Sequence, residues 1–254
     1  MTVPTLTRSL LDSSPTTFRR ATQSAFLKSA AAGQLSKEAL GTWLANDRLY
    51  ILSYIKAAGS VLSFLQLPQT APRPGTSPSP VRLFDWIVDA LVNIRREERF
   101  FVDTATRYNI NVNLPPGDDG RVHDDAKLEG LRLFEDLFGT VEPHDGTLPW
   151  LEPAVLFYAT EKAYLEAWTW AKSQLVAQDS AKDADGGALR EEFIPNWTSG
   201  EFVKFVDQLG AIIDEAVAEE VRRGGAHMMQ GLYDRALTVW NDVMMAEEAF
   251  WPTV

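Results

Sequence analysis

The run Pro153–Lys172, PAVLFYATEKAYLEAWTWAK, decides how the chain folds. It is the most apolar and most aromatic stretch of the sequence, and it carries two carboxylates, Glu161 and Glu166. A helix that is apolar nearly all round is a helix surrounded by others, because a helix at the surface keeps a polar face. At about 100° per residue, Glu161, Tyr164 (or Leu165) and Trp168 share one face, and Glu166 lies on a different side. A carboxylate on a buried helix must be paired, protonated or working, since an unpaired charge is very costly to remove from water. Two readings of Glu161 follow: an ion pair with a core Lys or Arg, or a place in a polar cavity.

Outward from this run the pattern stays helical. Residues 1–13, with Pro4 and several Thr, read as an extended N-terminal arm, and residues 14–254 as one helical domain. Ser14-Pro15 opens a helix that runs to Ala32-Gly33, with Ser at the N-cap and Pro at the first helical position. Ser36 caps the next helix, whose stripe of Leu40, Trp43, Leu44, Asp47, Tyr50, Ile51, Tyr54 and Ile55 continues to about Leu65. The proline-rich residues 67–80 read as a surface loop. Ser79-Pro80 then starts a helix to about Tyr108. A helix over 124–138, the long one over about 152–176, and a mobile loop over 177–191 follow. Thr198-Ser199-Gly200-Glu201 has capping-box form and opens a helix to about Arg223, ended by Gly224-Gly225. A last helix runs from Ala226 to about Trp251. With no convincing strand or repeat, the fold class is all-α, a single-domain helical bundle.

Composition bounds the function. The 254 residues are 45% hydrophobic, with 8 Trp and 13 Phe, enough for a large core. A formal net charge of −11 opposes binding to phosphate backbones, so no nucleic-acid partner is expected. The absence of cysteine removes disulfides, zinc–thiolate sites and thiol nucleophiles together. Neither a leader nor a membrane span is read in the sequence, and a cytoplasmic protein is the expectation.

Several constellations are missing. There is no glycine-rich phosphate loop, dinucleotide fingerprint or serine elbow. None of His123, His144 and His227 stands three residues after a Glu, so the di-iron carboxylate signature is absent, and neither a metal nor a cofactor is expected. Glu97-Glu98 beside Arg95-Arg96 reads as a solvated helix face, although Phe100-Phe101 next to it leaves room for one carboxylate to point inward. What remains is acids and aromatics at helical spacing. Asp47, Tyr50 and Tyr54 share one face, and Glu247, Phe250 and Trp251 share another. Such groups either fill a core or line a pocket for a flat, nitrogen-containing heterocycle, which aromatic rings stack upon and carboxylates hold by its N–H groups.

Three stretches, in order, resemble the TenA (thiaminase II) family, over about Phe18 to Trp251. Gly33, Leu35, Leu40, Asp47 and Tyr50 match its G-x-L…F…QD-x-x-Y-L segment, with Asn46 in place of the Gln. Glu247, Phe250 and Trp251 match its E-x-x-F-W, and Trp197 in NWTSGEF stands where the family has Tyr. The opening run departs from the pattern: the family's nucleophilic Cys, four residues before a Tyr, has either Thr160 or Glu161 in its place. The sequence is thus similar to the Cys-less branch, TenA_E. The resemblance implies the haem-oxygenase-like fold and a homo-oligomer, dimer or tetramer. It also implies an enzyme of thiamin salvage, a hydrolase acting on an aminomethyl- or formylaminomethyl-pyrimidine. Glu247 would be the acid–base catalyst, with Glu161 orienting water or replacing the thiol. Asp47, Tyr50, Tyr54, Tyr164, Trp197, Phe250 and Trp251 would hold the pyrimidine. The alternatives are a cofactor-less oxidase of the pyrroloquinoline-quinone synthase C type and a non-catalytic heterocycle-binding protein.

Overall fold

A computed structural model of the chain describes residues 4–71, 75 and 77–254. Part of the expected proline-rich loop and the first three residues of the expected arm lie outside them. Among the described residues there are ten α-helices: α1 (Leu6–Ser13), α2 (Pro15–Thr22), α3 (Ala25–Ala31), α4 (Lys37–Phe64), α5 (Ser79–Tyr108), α6 (Glu129–Gly139), α7 (Leu151–Ser173), α8 (Ile194–Trp197), α9 (Gly200–Gly224) and α10 (His227–Phe250). No strand occurs among them, and no helix is long and apolar enough to cross a membrane.

Most helix starts follow the local chemistry. The Ser36 hydroxyl accepts from the Ala39 amide and caps α4 as expected. Gly225, at φ 95°, ends α9 after Arg222 and Arg223. Four boundaries differ from the sequence reading. The helix expected over 124–138 is a 3₁₀ turn at Asp124–Ala126 followed by α6 from Glu129. The expected arm is helical from Leu6 to Ser13, because the Thr5 hydroxyl caps it and Thr7 anchors it: the Thr7 amide and hydroxyl donate to Asp214 of α9 at 2.9 and 2.7 Å. The expected helix over 14–32 is two, because Ser24 leaves the helical conformation and its hydroxyl accepts from the Leu27 amide to start α3. At α9 it is Ser199, not Thr198, that caps, accepting from the Phe202 amide.

The expected mobile loop over 177–191 is anchored instead. Asp185, 2% exposed, accepts from the amides of Gly187 and Leu189 at 2.9 and 2.7 Å. Asp183, also buried, pairs with Arg190 at 2.7 Å. Asp185 thus satisfies the amide of Leu189, the first residue of a single π turn, Leu189–Phe193, that runs into α8, and Asp183 holds the Arg190 side chain of the same turn.

Helix α7 lies at the centre, packed against α2, α3, α8, α9 and α10, and α4 packs on α5 and α6. Its Glu166 points away from the core and pairs with Lys162 at 2.6 Å. The aromatic core converges on Trp43, fully buried on α4. Its ring centroid is 5.4 Å from Trp168 and 5.7 Å from both Trp197 and Trp251, and Trp168 lies 4.4 Å from Trp197. Contacts of this kind add about 0.5–1.5 kcal/mol each beyond area burial. The Trp251 indole donates to the Ala21 carbonyl at 2.7 Å, closing the C-terminal end of α10 onto α2. Gly130 lets α6 lie directly on α10: a Cβ there would come within 2.3 Å of the Phe250 amide nitrogen and 2.5 Å of the Ala246 oxygen. Asn46, fully buried, accepts from the Leu128 amide at 2.9 Å and so fixes α4 to the chain entering α6.

Candidate active site

A cavity of about 420 Å³ opens between α4, α5, α7, α8 and the start of α9. Phe100, Phe101, Phe202, Phe205 and Trp197 supply apolar wall; Asp47, Glu97, Thr160, Glu161 and the rings of Tyr50 and Tyr164 complete it. Among the described lining residues the sole cation is Arg96, whose side chain is 65% exposed and pairs with Glu201 at 3.1 Å.

Of the two readings of Glu161, the cavity is the one realised. Its partner is no Lys or Arg but the Tyr54 hydroxyl, which donates to Oε1 at 2.8 Å. Burial pushes its carboxyl up to about 7, and the Tyr54 hydrogen bond limits the rise. Thr160 also borders the cavity, but its hydroxyl donates to the Phe157 carbonyl at 2.9 Å, as helical Thr commonly does. Of Thr160 and Glu161, the latter carries the carboxyl group that faces the cavity.

Asp47 is 4% exposed and meets the Tyr164 hydroxyl at 3.5 Å. Burial first, and then the charge of Glu97, hold its carboxyl well above the usual range. Tyr50 stands one turn further along α4, its ring packed on Phe134 and Phe138 at 5.0 and 5.3 Å. Burial and the neighbouring Glu161 keep its hydroxyl protonated. Tyr164 is likewise held protonated by burial and by Asp47.

The remaining expected residues stand behind this wall. Tyr54, 1% exposed, reaches the site through Glu161. Phe250 packs behind Tyr50 at 6.0 Å, and Trp251 is engaged with Ala21. Glu247 is 4% exposed and makes no hydrogen bond among the described residues; burial, Asp47 and Glu161, in that order, raise its carboxyl well above normal. It shares the field of the two cavity acids without bordering the cavity.

The sequence leaves room for one of Glu97 and Glu98 to point inward without saying which. Glu97 turns inward, accepting from the Trp197 indole at 2.5 Å and from the Asn196 amide at 3.0 and 3.1 Å. Burial raises its carboxyl, and those two donors pull it back down. Its neighbour Glu98 is not solvated either: its side chain is 16% exposed and pairs with Arg95 and, at 3.6 Å, with Arg48. The spacing Ala90, Ile94, Glu97, Phe101, all cavity residues, follows one helix face and is the signal that separates them.

No family model matches the chain. A protein of Fusarium pseudograminearum named a probable transcription factor is 26% identical over 271 residues, covering 94% of this chain and 51% of that protein. The chain thus spans about half the length of this curated relative. Among solved structures, a TenA homologue from Pyrococcus furiosus superposes with a TM-score of 0.68 at 22% identity, covering 97% of this chain and 98% of its own. The TenA homologue of Pyrococcus horikoshii gives 0.67 at 17% identity, covering 98% and 97%. A TenA family transcription regulator from Silicibacter gives 0.68 at 14%, covering 97% and 94%. Along nearly its whole length, therefore, the chain has the fold of the TenA homologues, a single-domain all-α bundle of the haem-oxygenase-like type.

Proposed function

We propose that the cavity binds an aminomethyl- or formylaminomethyl-pyrimidine and hydrolyses its exocyclic C–N bond, a reaction of thiamin salvage. The observation that carries this reading is Glu161: a carboxyl on the cavity wall, held near neutrality by burial, among aromatic rings and a second buried acid. In the proposed reaction Asp47, protonated, donates to a ring nitrogen and accepts from the amine beside it, with Tyr50 and Trp197 flanking the ring. Protonated Glu161 gives its proton to the departing nitrogen. The carboxylate so formed, steadied by the Tyr54 hydroxyl, takes a proton from the attacking water, and the hydroxymethyl product and ammonia leave. Water thereby replaces the amine and the enzyme returns to its starting protonation. A pKa near working pH is what such a group needs, and acid–base help of this kind contributes about 10²–10⁴-fold.

The sequence reading assigned the proton transfers to Glu247 and an orienting role to Glu161. The lining of the cavity supports the reverse: Glu161 meets substrate, and Glu247 stands behind it, its own proton affinity raised by burial, Asp47 and Glu161. No cofactor enters this scheme. A homo-oligomer in the cytoplasm is the assembly and location that go with it. The oxidase alternative fits poorly, because a polyanionic quinone would meet a wall of acids, with Arg96 the one cation among the described lining residues and that at the rim. The names of the Fusarium and Silicibacter proteins speak of transcription; for this chain the charge of −11 weighs against direct contact with DNA.

The test is ammonia release from the aminomethylpyrimidine, compared among wild type, Glu161→Gln and Asp47→Asn. Loss of at least about 100-fold in each variant is expected, the low end of what acid–base groups supply. Full activity in Glu161→Gln refutes the mechanism, and thermal stabilisation by the pyrimidine without turnover would mark a binding protein, the shift growing with ligand by mass action.

A further inference from the structure

The cavity wall is electrostatically one-sided. Asp47 on α4, Glu97 on α5 and Glu161 on α7 border it, and the one cation among the described lining residues, Arg96, is engaged at the rim with Glu201 and Asn93. The three acids are not equivalent. Asp47 and Glu161 each meet a tyrosine hydroxyl, which can also accept. Glu97 meets donors alone. Its Oε1 accepts from the Trp197 indole and the Asn196 amide, and its Oε2 from the Asn196 amide. An indole N–H and an amide NH₂ can only donate, so these contacts favour the ionised carboxylate against the burial that opposes it. A carboxylate offers about four acceptor positions. The described partners fill three and leave one, on Oε2, at a residue that borders the cavity. The indole stands at the position where the TenA-like pattern has a tyrosine. A tyrosine hydroxyl could serve a ligand and the acid in turn; the indole commits the position to the acid.

We propose that Glu97, fixed by Trp197 and Asn196, is the specificity-determining residue of the cavity and selects ligands that carry a positively charged nitrogen. Such a group supplies the missing donor and the missing cation in one step, and phosphorylated or carboxylated relatives of the same ring are rejected by the same wall. The proposal deepens the pyrimidine reading and rests on it for the ring the cavity takes, but not for the charge.

Benzamidine and benzamide test the charge alone, being nearly the same shape, one cationic and one neutral. Titration calorimetry at pH 7.5 is expected to show wild type binding benzamidine at least tenfold more tightly than benzamide. In Glu97→Gln, which keeps the shape and the acceptor for Trp197, that ratio should fall at least fivefold, through weaker benzamidine binding and unchanged benzamide binding. Trp197→Phe, which removes the indole donor together with part of the ring, should lower the ratio in the same direction. Equal binding of the two probes by wild type, or an unchanged ratio in Glu97→Gln, overturns the proposal. If the ratio behaves as expected while the aminomethylpyrimidine releases no ammonia, the hydrolase reading fails and the cation selectivity stands. If ammonia is released and the ratio is insensitive to Glu97, the reverse holds.

Discussion

Glu161→Gln should make the protein more stable, and only at high pH. The carboxyl lies at an ordinary 4.5 in the unfolded chain and at about 7 in the folded one. The folded state therefore binds the proton more tightly. Below pH 4.5 the group is protonated in both states and its full contribution is present. As pH rises through about 7 the folded state must ionise a buried acid and stability is lost. A tenfold difference in proton affinity between the two states is worth about 1.4 kcal/mol, so the loss amounts to about 3 kcal/mol at most, and about 2 kcal/mol if cavity water softens the burial. Glutamine carries no charge to bury, and its carbonyl still accepts from Tyr54. Urea unfolding of both proteins at pH 5 and pH 8 measures the difference. Near pH 5 the two should agree within about 1 kcal/mol. At pH 8 the variant should be ahead by about 2–3 kcal/mol, or roughly 4–10 °C in Tm for a domain of this size. Removing the Glu161 charge also eases ionisation of Asp47 and Glu247, which moves the comparison in the same direction. Parallel stability profiles from pH 5 to 8 would show that Glu161 is not a buried, elevated acid, and the acid–base scheme would lose its central group.

Three further outcomes are expected. If protonated Glu161 is the proton donor, kcat/KM for the aminomethylpyrimidine should decline as pH rises above about 7, and a rate flat from pH 6 to 9 would exclude it. Gly130→Ala should destabilise the fold by about 1–3 kcal/mol in denaturant unfolding, because its Cβ meets backbone of α10 that cannot swing aside. Asp185→Ala should cost about 2–3 kcal/mol by leaving the Gly187 and Leu189 amides without their acceptor, and should expose 177–188 to limited proteolysis at rates wild type does not show.

How far the sequence carried depended on whether a signal was local. The stripes of α4 and α7 and the Ser36 cap depend on spacing within one helix, and they appear where the spacing puts them. So do Asp47 and Glu161 on their faces, because a helix fixes direction to within a fraction of a turn. The failures share another cause: partners distant in sequence. Thr7 makes a helix of the expected arm by bonding to Asp214, at the far end of the chain. Asp183 and Asp185 read as solvent-loving loop acids, yet they serve Arg190 and two buried amides. Glu97 was hidden in a run of charged neighbours, and what turns it inward is Trp197, again far along the chain. Glu247 was placed correctly on a buried face, but facing inward and bordering a cavity are different things, and only the packing of α6 and α10 distinguishes them.

The indole cluster around Trp43 has an optical consequence. Trp197, in the cavity wall, lies 4.4 Å from Trp168, which lies 5.4 Å from Trp43, and Trp43 lies 5.7 Å from Trp251. Indoles this close exchange excitation far faster than they emit. Light absorbed at the foot of α10 therefore reaches the ring that a ligand would touch. A single quenching contact at Trp197 should dim all four together, so intrinsic fluorescence reports occupancy of the cavity with a larger amplitude than one tryptophan among 8 would give. The protein carries a built-in binding signal, and no label need be placed near the acids whose charge it would disturb.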